Sequence, residues 1–308
     1  MKSEPGDVTA SHAGNPWEWP ESAWHKIARR VSAGRSFAPD VWPGNAPFAA
    51  AISFDSDHET NDLREGGKSI NKLSIGEYGA RRGIGRIVSI LEKANVPASF
   101  FVPAVSALLH PEQQALAVLK GHEVGLHGWI HELNTKLPPN AERDLLMRSA
   151  DVLEKITGAR PRGLRTPSWD FSDDTLRIAH EMELLYDSSL MADDDCYELL
   201  LDGAPTGVME LPVQWVRDDA VYFGMDRFSG LRPYTPPRNV VDIFLDELKA
   251  AREERGIFQV TMHPHIIGVR SRIWILQEII DRAKDLGAWF ATHAQIVEYV
   301  KANSAGKV

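Results

Sequence analysis

The sequence contains one cysteine, no long apolar run and no apolar segment near its first residue. Cys196 is the one cysteine in 308 residues, so no disulfide can form within the chain. The longest apolar stretches, such as residues 48–52 and 100–105, are far shorter than the ~20 residues that span a bilayer. Residues 1–15 are polar and lack the apolar segment of a signal peptide. These absences argue against a disulfide scaffold and against a membrane partner, and they predict a cytoplasmic location.

Positive charge is also scarce. The chain has 43 Asp and Glu residues against 34 Lys and Arg, a net charge of -9, and no basic cluster interleaved with aromatic residues. A surface that binds the phosphate backbone of a nucleic acid requires such a cluster, so nucleic acid is not an expected partner. The 43% of hydrophobic residues can fill one large barrel or two ordinary domains.

Tryptophan, proline and glycine concentrate at the start of the chain. Residues 1–46 are predicted to form an irregular arm whose aromatic rings cover either the barrel or a neighbouring subunit. Residues 47–303 are predicted to form a single barrel domain, and residues 304–308 a tail. Within that domain, short apolar runs alternate with helical patterns, which is typical of parallel strands joined by helical crossovers.

The alternation predicts eight strands, at residues 49–54, 98–102, 123–126, 163–165, 184–186, 208–216, 257–262 and 288–291. Between and after them, apolar spacing and cap residues predict helices that include 140–157, 239–255, 272–286 and 295–302.

Ionisable residues gather where the predicted strands end, namely at Asp55, Asp57, His127, Arg165, Asp187, His263 and His265. In a strand–helix barrel, the carboxyl ends of the strands form one face, and that face carries the catalytic groups. The alternative is that polar residues only mark the ends of strands. The recurrence over five segments favours a shared pocket.

Two histidines four residues apart indicate a metal site. If the chain turns helically after its strand, His127 and His131 face one point, and Asp57 is a candidate carboxylate ligand. Two imidazoles and one carboxylate leave positions open for water and substrate, as catalytic zinc requires. Taken alone, the two histidines are also compatible with core or surface positions.

Five local strings occur in the order seen in one family. They are SFDSD at 53–57, GHEVGLHGWIH at 121–131, RTPSW at 165–169, YDS at 186–188 and TMHPH at 261–265. Over roughly residues 49–300 the chain resembles the polysaccharide deacetylases, also called the NodB-homology or carbohydrate esterase family four. The resemblance implies an α/β fold, a distorted (β/α) barrel of about seven strands.

The same resemblance implies roles for individual residues. Asp55 corresponds to the catalytic base, and Arg165 to the arginine that positions it. His127 and His131 correspond to ligands that bind a divalent metal, most often Zn²⁺, together with a carboxylate. His263 corresponds to the general acid.

One departure from the family pattern concerns the metal carboxylate. Most members have two adjacent aspartates in the first string, whereas this chain has Ser56 there and Asp57 one position further on. The string resembles a cytoplasmic Asp-x-Asp branch, which is related to hydrolases of cyclic imides and ureides, some of them metal-independent. The expected function is therefore metal-dependent removal of an acyl group from an N-acetylated sugar or related amide. The alternatives are ring opening of a small cyclic imide or ureide, and a binding protein that has lost turnover.

Four further residues are candidates for substrate binding, namely Glu59, Thr166, Trp169 and His265. Trp169 is interpreted as an apolar wall of the pocket or as an ordinary core aromatic. Glu59 lies in the insertion after the first strand, where surface polarity explains it equally well. The expected substrate is a small molecule or an oligosaccharide, and the Trp-rich arm together with the resemblance favours a homo-oligomer.

Overall fold

The computed structural model describes residues 14–138, 140–224 and 235–303, which form one ten-stranded sheet and the helices around it. The strands are β1 (Val31–Ser36), β2 (Ala49–Asp55), β3 (Ser99–Val102), β4 (Glu123–Leu126), β5 (Gly163–Leu164), β6 (Tyr186–Asp187), β7 (Tyr197–Leu201), β8 (Ala204–Glu210), β9 (Ile257–Met262) and β10 (Trp289–Phe290).

The α-helices are α1 (Glu21–Ala28), α2 (Thr60–Leu63), α3 (Ile70–Tyr78), α4 (Ile84–Ala94), α5 (Ala104–Leu109), α6 (Pro111–Leu119), α7 (Ala141–Thr157), α8 (Thr175–Glu181), α9 (Asp219–Phe223), α10 (Pro237–Glu254), α11 (Pro264–Ile267), α12 (Trp274–Asp285) and α13 (His293–Asn303). A π-helical segment, Gly79–Gly83, joins α3 to α4. None of the helices in the described ranges is long and apolar enough to cross a membrane.

Seven parallel strands form the body of the barrel, in the order β9–β2–β3–β4–β5–β6–β8. Beyond β8, Asp218 forms a parallel bridge with Thr261 of β9, which brings the chain back to the first strand of that order. Strand β10 pairs with the start of β2. The predicted α/β fold with a distorted barrel is confirmed.

Strands β1 and β7 were not predicted, and they make the sheet mixed. Strand β7 runs antiparallel to its neighbour β8, and β1 pairs antiparallel with β7, with Val31 opposite Leu201. The residues of β1 are all half-buried or exposed, so their sequence lacks the apolar signal of a core strand. Its pairing partner lies about 170 positions away, and a local pattern cannot indicate such a contact.

Part of the N-terminal region packs on the barrel through aromatic rings. Trp42 is buried, its indole N–H donates to the carbonyl oxygen of Arg255 at 2.7 Å, and its ring centroid lies 6.0 Å from those of Trp289 and Tyr299. The domain boundary after residue 46 stays a prediction. Residues 1–13 and the predicted tail, 304–308, lie outside the described residues.

The alternation of side chains along β2 determines what enters the barrel. All seven residues of this strand are buried, and successive side chains point to opposite faces. Its even-numbered residues join the main apolar core, together with residues of α4, α10 and α12. On the opposite face, Ala49 and Ala51 are apolar, but Ser53 and Asp55 are polar. The inner face of β2 therefore changes from apolar to polar toward its carboxyl end.

Three glycines let the segment from α3 to α4 lie directly on the loops that follow β2 and β9. A methyl group at Gly76 would collide with the backbone of His58, and one at Gly83 would collide with the carbonyl oxygen of Pro264. At Gly79 it would come within 3.0 Å of both His58 and His265. This close packing holds the two loops in place.

We expect Gly83→Ala to lower the free energy of unfolding by about 1–3 kcal/mol, because the added methyl group collides with the backbone of Pro264 and forces it to shift. Gly85→Ala, two residues further on, adds its methyl group to open space and should raise that free energy by ~0.4–1 kcal/mol. Urea denaturation of both variants tests the pair, and equal stabilities would contradict the packing described.

Candidate active site and metal centre

The carboxyl ends of the parallel strands enclose a cavity of about 240 Å³. Its lining includes seven of the residues singled out from the sequence, Asp55, Asp57, His127, His131, Trp169, His263 and His265. It also includes residues that the sequence did not indicate, among them Asn61, Ser168, Trp215 and Asp218. Strand ends separated by more than 200 positions along the chain thus contribute to one pocket.

Asp57 is the point on which the two predicted metal histidines converge. Its Oδ1 atom lies 3.4 Å from Nε2 of His127 and 3.6 Å from Nε2 of His131. All three side chains are buried, and one donor atom from each lies within 4.8 Å of the others. Oδ1 of Asp57 has no hydrogen-bond partner, whereas Oδ2 accepts one from the amide of Asn61 at 2.9 Å.

The turn that brings His127 and His131 together is not helical. Their spacing of four residues had suggested that a helical turn would be needed. Gly128 and His131 have φ angles of 72° and 64°. The carboxylate of Glu132 accepts hydrogen bonds from the backbone N–H groups of Trp129 and Ile130. A glycine is needed at 128 because a side chain there would contact Pro167.

The charges around Asp57 oppose the effect of its burial. Burial alone raises the pKa of a carboxyl group, but positive charge on His131, His263 or His127, whenever one of these rings is protonated, and the interaction with the His127 ring hold the pKa of Asp57 well below its usual value. Burial lowers the pKa of His131 to about 3, which keeps its imidazole neutral. Neutral imidazole and ionised carboxylate are the forms that bind a metal.

Arg165 forms a buried ion pair with Asp55. Its side chain is fully buried, and Nη1 donates to Oδ1 of Asp55 at 2.7 Å and to the hydroxyl of Ser53 at 3.0 Å. The other nitrogens donate to the carbonyl oxygen and the hydroxyl of Ser188, both at 3.0 Å. Asp55 is thereby oriented with Oδ2 near the metal ligands, 3.8 Å from Nε2 of His127.

Two aspartates that the sequence did not indicate lie next to Nδ1 of His263. Nδ1 of His263 is 2.7 Å from Oδ1 of Asp219 and 3.7 Å from Oδ1 of Asp218. Burial lowers the pKa of His263, but the charges of Asp218 and Asp219 and the hydrogen bond to Asp219 outweigh it, so the pKa lies well above its usual value. Nε2 of His263 faces the cavity, 3.8 Å from Oδ2 of Asp57. Asp219 precedes His263 by 44 positions in the sequence. No local sequence pattern links a pair of acids at that distance to a histidine.

An aromatic pair forms one wall of the cavity. The ring centroids of Trp169 and Trp215 lie 4.0 Å apart, and their planes are inclined by 35°. Trp169 is nearly buried, whereas Trp215 is 47% exposed. Ser168 and Trp169 have φ angles of 54° and 56°, values that non-glycine residues seldom adopt and that cluster at functional sites.

The remaining substrate-binding candidates are placed differently. His265 lines the cavity, with its ring centroid 5.7 Å from that of His263. Glu59 is outside the lining and is paired with Nε2 of His110 at 2.9 Å. Thr166 is buried and is also absent from the lining of the cavity. Both remain predictions for substrate contact, without support from the cavity geometry.

A further residue that the sequence did not indicate, Arg64, contacts His131, one of the two candidate metal ligands. Nη1 of Arg64, just after α2, lies 2.9 Å from Nδ1 of His131 and donates to the carbonyl oxygen of that residue at 3.1 Å. It also approaches the hydroxyl of Ser168 at 3.3 Å. Nothing distinguishes Arg64 from other arginines of the insertion in the sequence.

The sequence and the fold of the chain resemble those of known proteins. A family model described as polysaccharide deacetylase matches residues 77–186. A peptidoglycan deacetylase of Helicobacter pylori is 26% identical over 270 residues, covering 79% of this chain and 92% of that protein. A crystal structure from Mycobacterium smegmatis, assigned as a polysaccharide deacetylase, is 34% identical with a TM-score of 0.81, covering 88% of this chain and 96% of that one.

A solved allantoinase, Puue, has the same fold, with 22% identity, a TM-score of 0.75 and coverage of 86% of this chain and 94% of its own. The family match and the deacetylase relatives make the chain a hydrolase that acts on carbon–nitrogen bonds other than peptide bonds. The chain belongs to the polysaccharide deacetylase family.

Replacing Asp219 by Asn should lower the pKa of His263, because it removes the nearer of two negative charges that stabilise the imidazolium. In the folded wild type this pKa is raised, so the stability that protonation contributes is present below the unfolded value of about 6.5 and is lost as pH rises through the folded value. The variant should therefore lose stability relative to the wild type at acidic pH. NMR titration of the histidine ring protons measures the pKa.

Asp246→Asn is the matched control, because this exposed carboxylate on α10 pairs with Lys249 and does not line the cavity. An unchanged His263 titration in Asp219→Asn would show that Asp219 does not set the charge of that imidazole.

Proposed function

We propose that the chain is a metal-dependent hydrolase of a small non-peptide amide, with the metal held by Asp57, His127 and His131. The observation that carries this proposal is the convergence of three buried donor atoms on one point beside Asp55 and opposite His263. The arrangement combines a cation site, a proton acceptor and a proton donor in one cavity. Those are the groups that amide hydrolysis requires.

The donor set fits a divalent cation. Nδ1 of His127 lies 2.7 Å from the carbonyl oxygen of Arg165, which can only accept, so Nδ1 carries the proton and Nε2 presents a lone pair. That lone pair faces Oδ1 of Asp57, which accepts no hydrogen bond. Two buried acceptors 3.4 Å apart call for a cation between them, either a metal or a proton, and Asp55 and Asp57 raise the pKa of His127 despite its burial. Two imidazoles and one carboxylate match the three protein ligands of catalytic zinc, so we propose Zn²⁺.

A metal held by these residues would lower the pKa of a bound water to about 7 and would polarise a carbonyl group. The residues of the chain supply the proton transfers. Asp55, held by Arg165, is placed to accept a proton from the attacking water. His263 carries the proton that the departing nitrogen needs, because its Nδ1 is engaged by Asp219 and its Nε2 faces the cavity.

The size of the cavity favours a small substrate. Its volume of about 240 Å³ lies below the roughly 300–1,000 Å³ of pockets that hold drug-sized ligands. The aromatic pair of Trp169 and Trp215 adds an apolar wall. We therefore propose a single N-acylated sugar unit or a similar amide as the reacting group.

Ring opening of a small cyclic imide or ureide is the second candidate function. An aromatic ring in the wall can stack on a planar substrate ring, and the Asp-x-Asp spacing of Asp55 and Asp57 is the feature on which we base this relation. The two functions share Asp55 as base and differ in whether the nitrogen leaves or stays attached to the product. The cytoplasmic location and the homo-oligomer stay predictions.

We expect Asp55→Asn to lower kcat/KM by at least about 10²-fold, the usual contribution of a positioned base, while metal content is retained. His127→Ala should instead lose the metal. Elemental analysis and assays on an N-acetylglucosamine oligomer and on a cyclic imide measure both effects.

Asp246→Asn again serves as the control, since it removes an exposed carboxylate that does not line the cavity. Full activity of Asp55→Asn on either substrate would refute the assignment of the base. Stoichiometric metal in His127→Ala would refute the ligand set.

A further inference from the structure

The contact between Arg64 and His131 determines where the proton of that imidazole sits. Nη1 of Arg64 approaches Nδ1 of His131 at 2.9 Å. A guanidinium group has donors only, so Nδ1 must accept and must present its lone pair to Arg64. The neutral ring then carries its proton on Nε2, the atom that faces Oδ1 of Asp57.

His127 has the opposite arrangement. Its Nδ1 faces the carbonyl oxygen of Arg165 and must donate, so the neutral ring, the form that binds a metal, has its lone pair on Nε2. Histidines that bind a metal ordinarily donate their second ring N–H to a carboxylate, a carbonyl or water. His127 therefore has the proton arrangement of a ligand, and His131 does not.

A metal bound through Nε2 of His131 requires the proton to move to Nδ1. That N–H would then point at an N–H of Arg64, and two donors cannot share one hydrogen bond. The positive charge of Arg64 also opposes a second cation close by. The docked position of Arg64 and a metal bound to His131 thus exclude each other.

Arg64 can leave His131 at small cost. Besides its two contacts with His131, Nη1 has a 3.3 Å contact with Ser168, and Nε lies 3.6 Å from a carboxylate oxygen of Glu65. Glu65 is exposed, and the side chain of Arg64 is itself 24% exposed. The guanidinium can therefore turn toward Glu65 and solvent without breaking a buried ion pair.

We propose that Arg64 and a divalent metal compete for His131, so that the metal is bound exchangeably and its binding displaces Arg64. This inference rests on the proposed metal site. It assigns to Arg64 a positioning role: it acts on the metal only through the proton on His131.

Two-bond ¹H–¹⁵N NMR correlation spectra of the histidine rings test the proton arrangement directly. In metal-free protein at neutral pH, we expect His127 with its proton on Nδ1 and His131 with its proton on Nε2. Addition of Zn²⁺ should move the His131 proton to Nδ1. Finding both rings protonated on Nδ1 before Zn²⁺ is added would overturn the proposal.

Metal affinity tests the competition. In Arg64→Gln, the donor-only guanidinium is replaced by an amide whose oxygen can accept from Nδ1, and one positive charge is removed. We expect the dissociation constants for Zn²⁺ and Co²⁺, measured by calorimetry, to fall about tenfold, the lower end of the effect that groups behind a metal ligand usually have. Arg64→Met, which removes the donor without adding an acceptor, should show a smaller decrease.

Arg81→Gln is the matched control for net charge, because this exposed arginine pairs with Glu77 and does not contact the site. Its dissociation constants should equal those of the wild type. Thermal unfolding of each variant verifies the fold.

Equal or weaker metal binding by folded Arg64→Gln, while the wild type binds metal, would overturn the competition but leave the proposed function intact. Absence of metal binding in every variant and in the wild type would refute both. The two failures are therefore distinguishable without an activity assay.

Discussion

The buried ion pair between Arg165 and Asp55 is the interaction on which the rest of the site depends. The guanidinium lies over the ring of Phe101 at 4.0 Å and donates to groups on β2 and on the chain after β6. Removal of one member of such a pair leaves an uncompensated buried charge, at a cost of roughly 3–5 kcal/mol. Arg165 therefore ties several strand ends together, and it also aims the carboxylate that we propose as base.

Three histidines that line the cavity differ in the group that contacts their Nδ1 atom. The partner is a carbonyl oxygen for His127, a guanidinium for His131 and a carboxylate for His263. A carbonyl leaves the opposite nitrogen free to bind a metal, a guanidinium places a proton there, and a carboxylate favours a doubly protonated ring. Three identical side chains thus acquire three different capacities from their surroundings.

Much of the barrel could be predicted from local patterns. Strands β2, β4 and β9 are short apolar runs, and their bounds in the structure agree with the predicted ones to within one residue. Strand β1 could not be predicted, because its half-exposed residues acquire their conformation from pairing with β7. The helical turn on which the convergence of His127 and His131 was conditional does not form, because Gly128 and His131 adopt positive φ angles, and Glu132 stabilises the turn that brings the two rings together instead.

The sequence by itself determined the fold class, the order of the strands along the chain and most of the residues that line the cavity. It could do so because β2 alternates with a period of two, which makes Asp55 an inward residue, and because parallel strands end on one face. The tertiary structure alone decided the protonation partners, namely Arg64 for His131 and Asp219 for His263. It also separated Glu59 from the cavity lining. Those contacts join segments 44 to 67 positions apart, and their geometry is set by packing that no local pattern encodes.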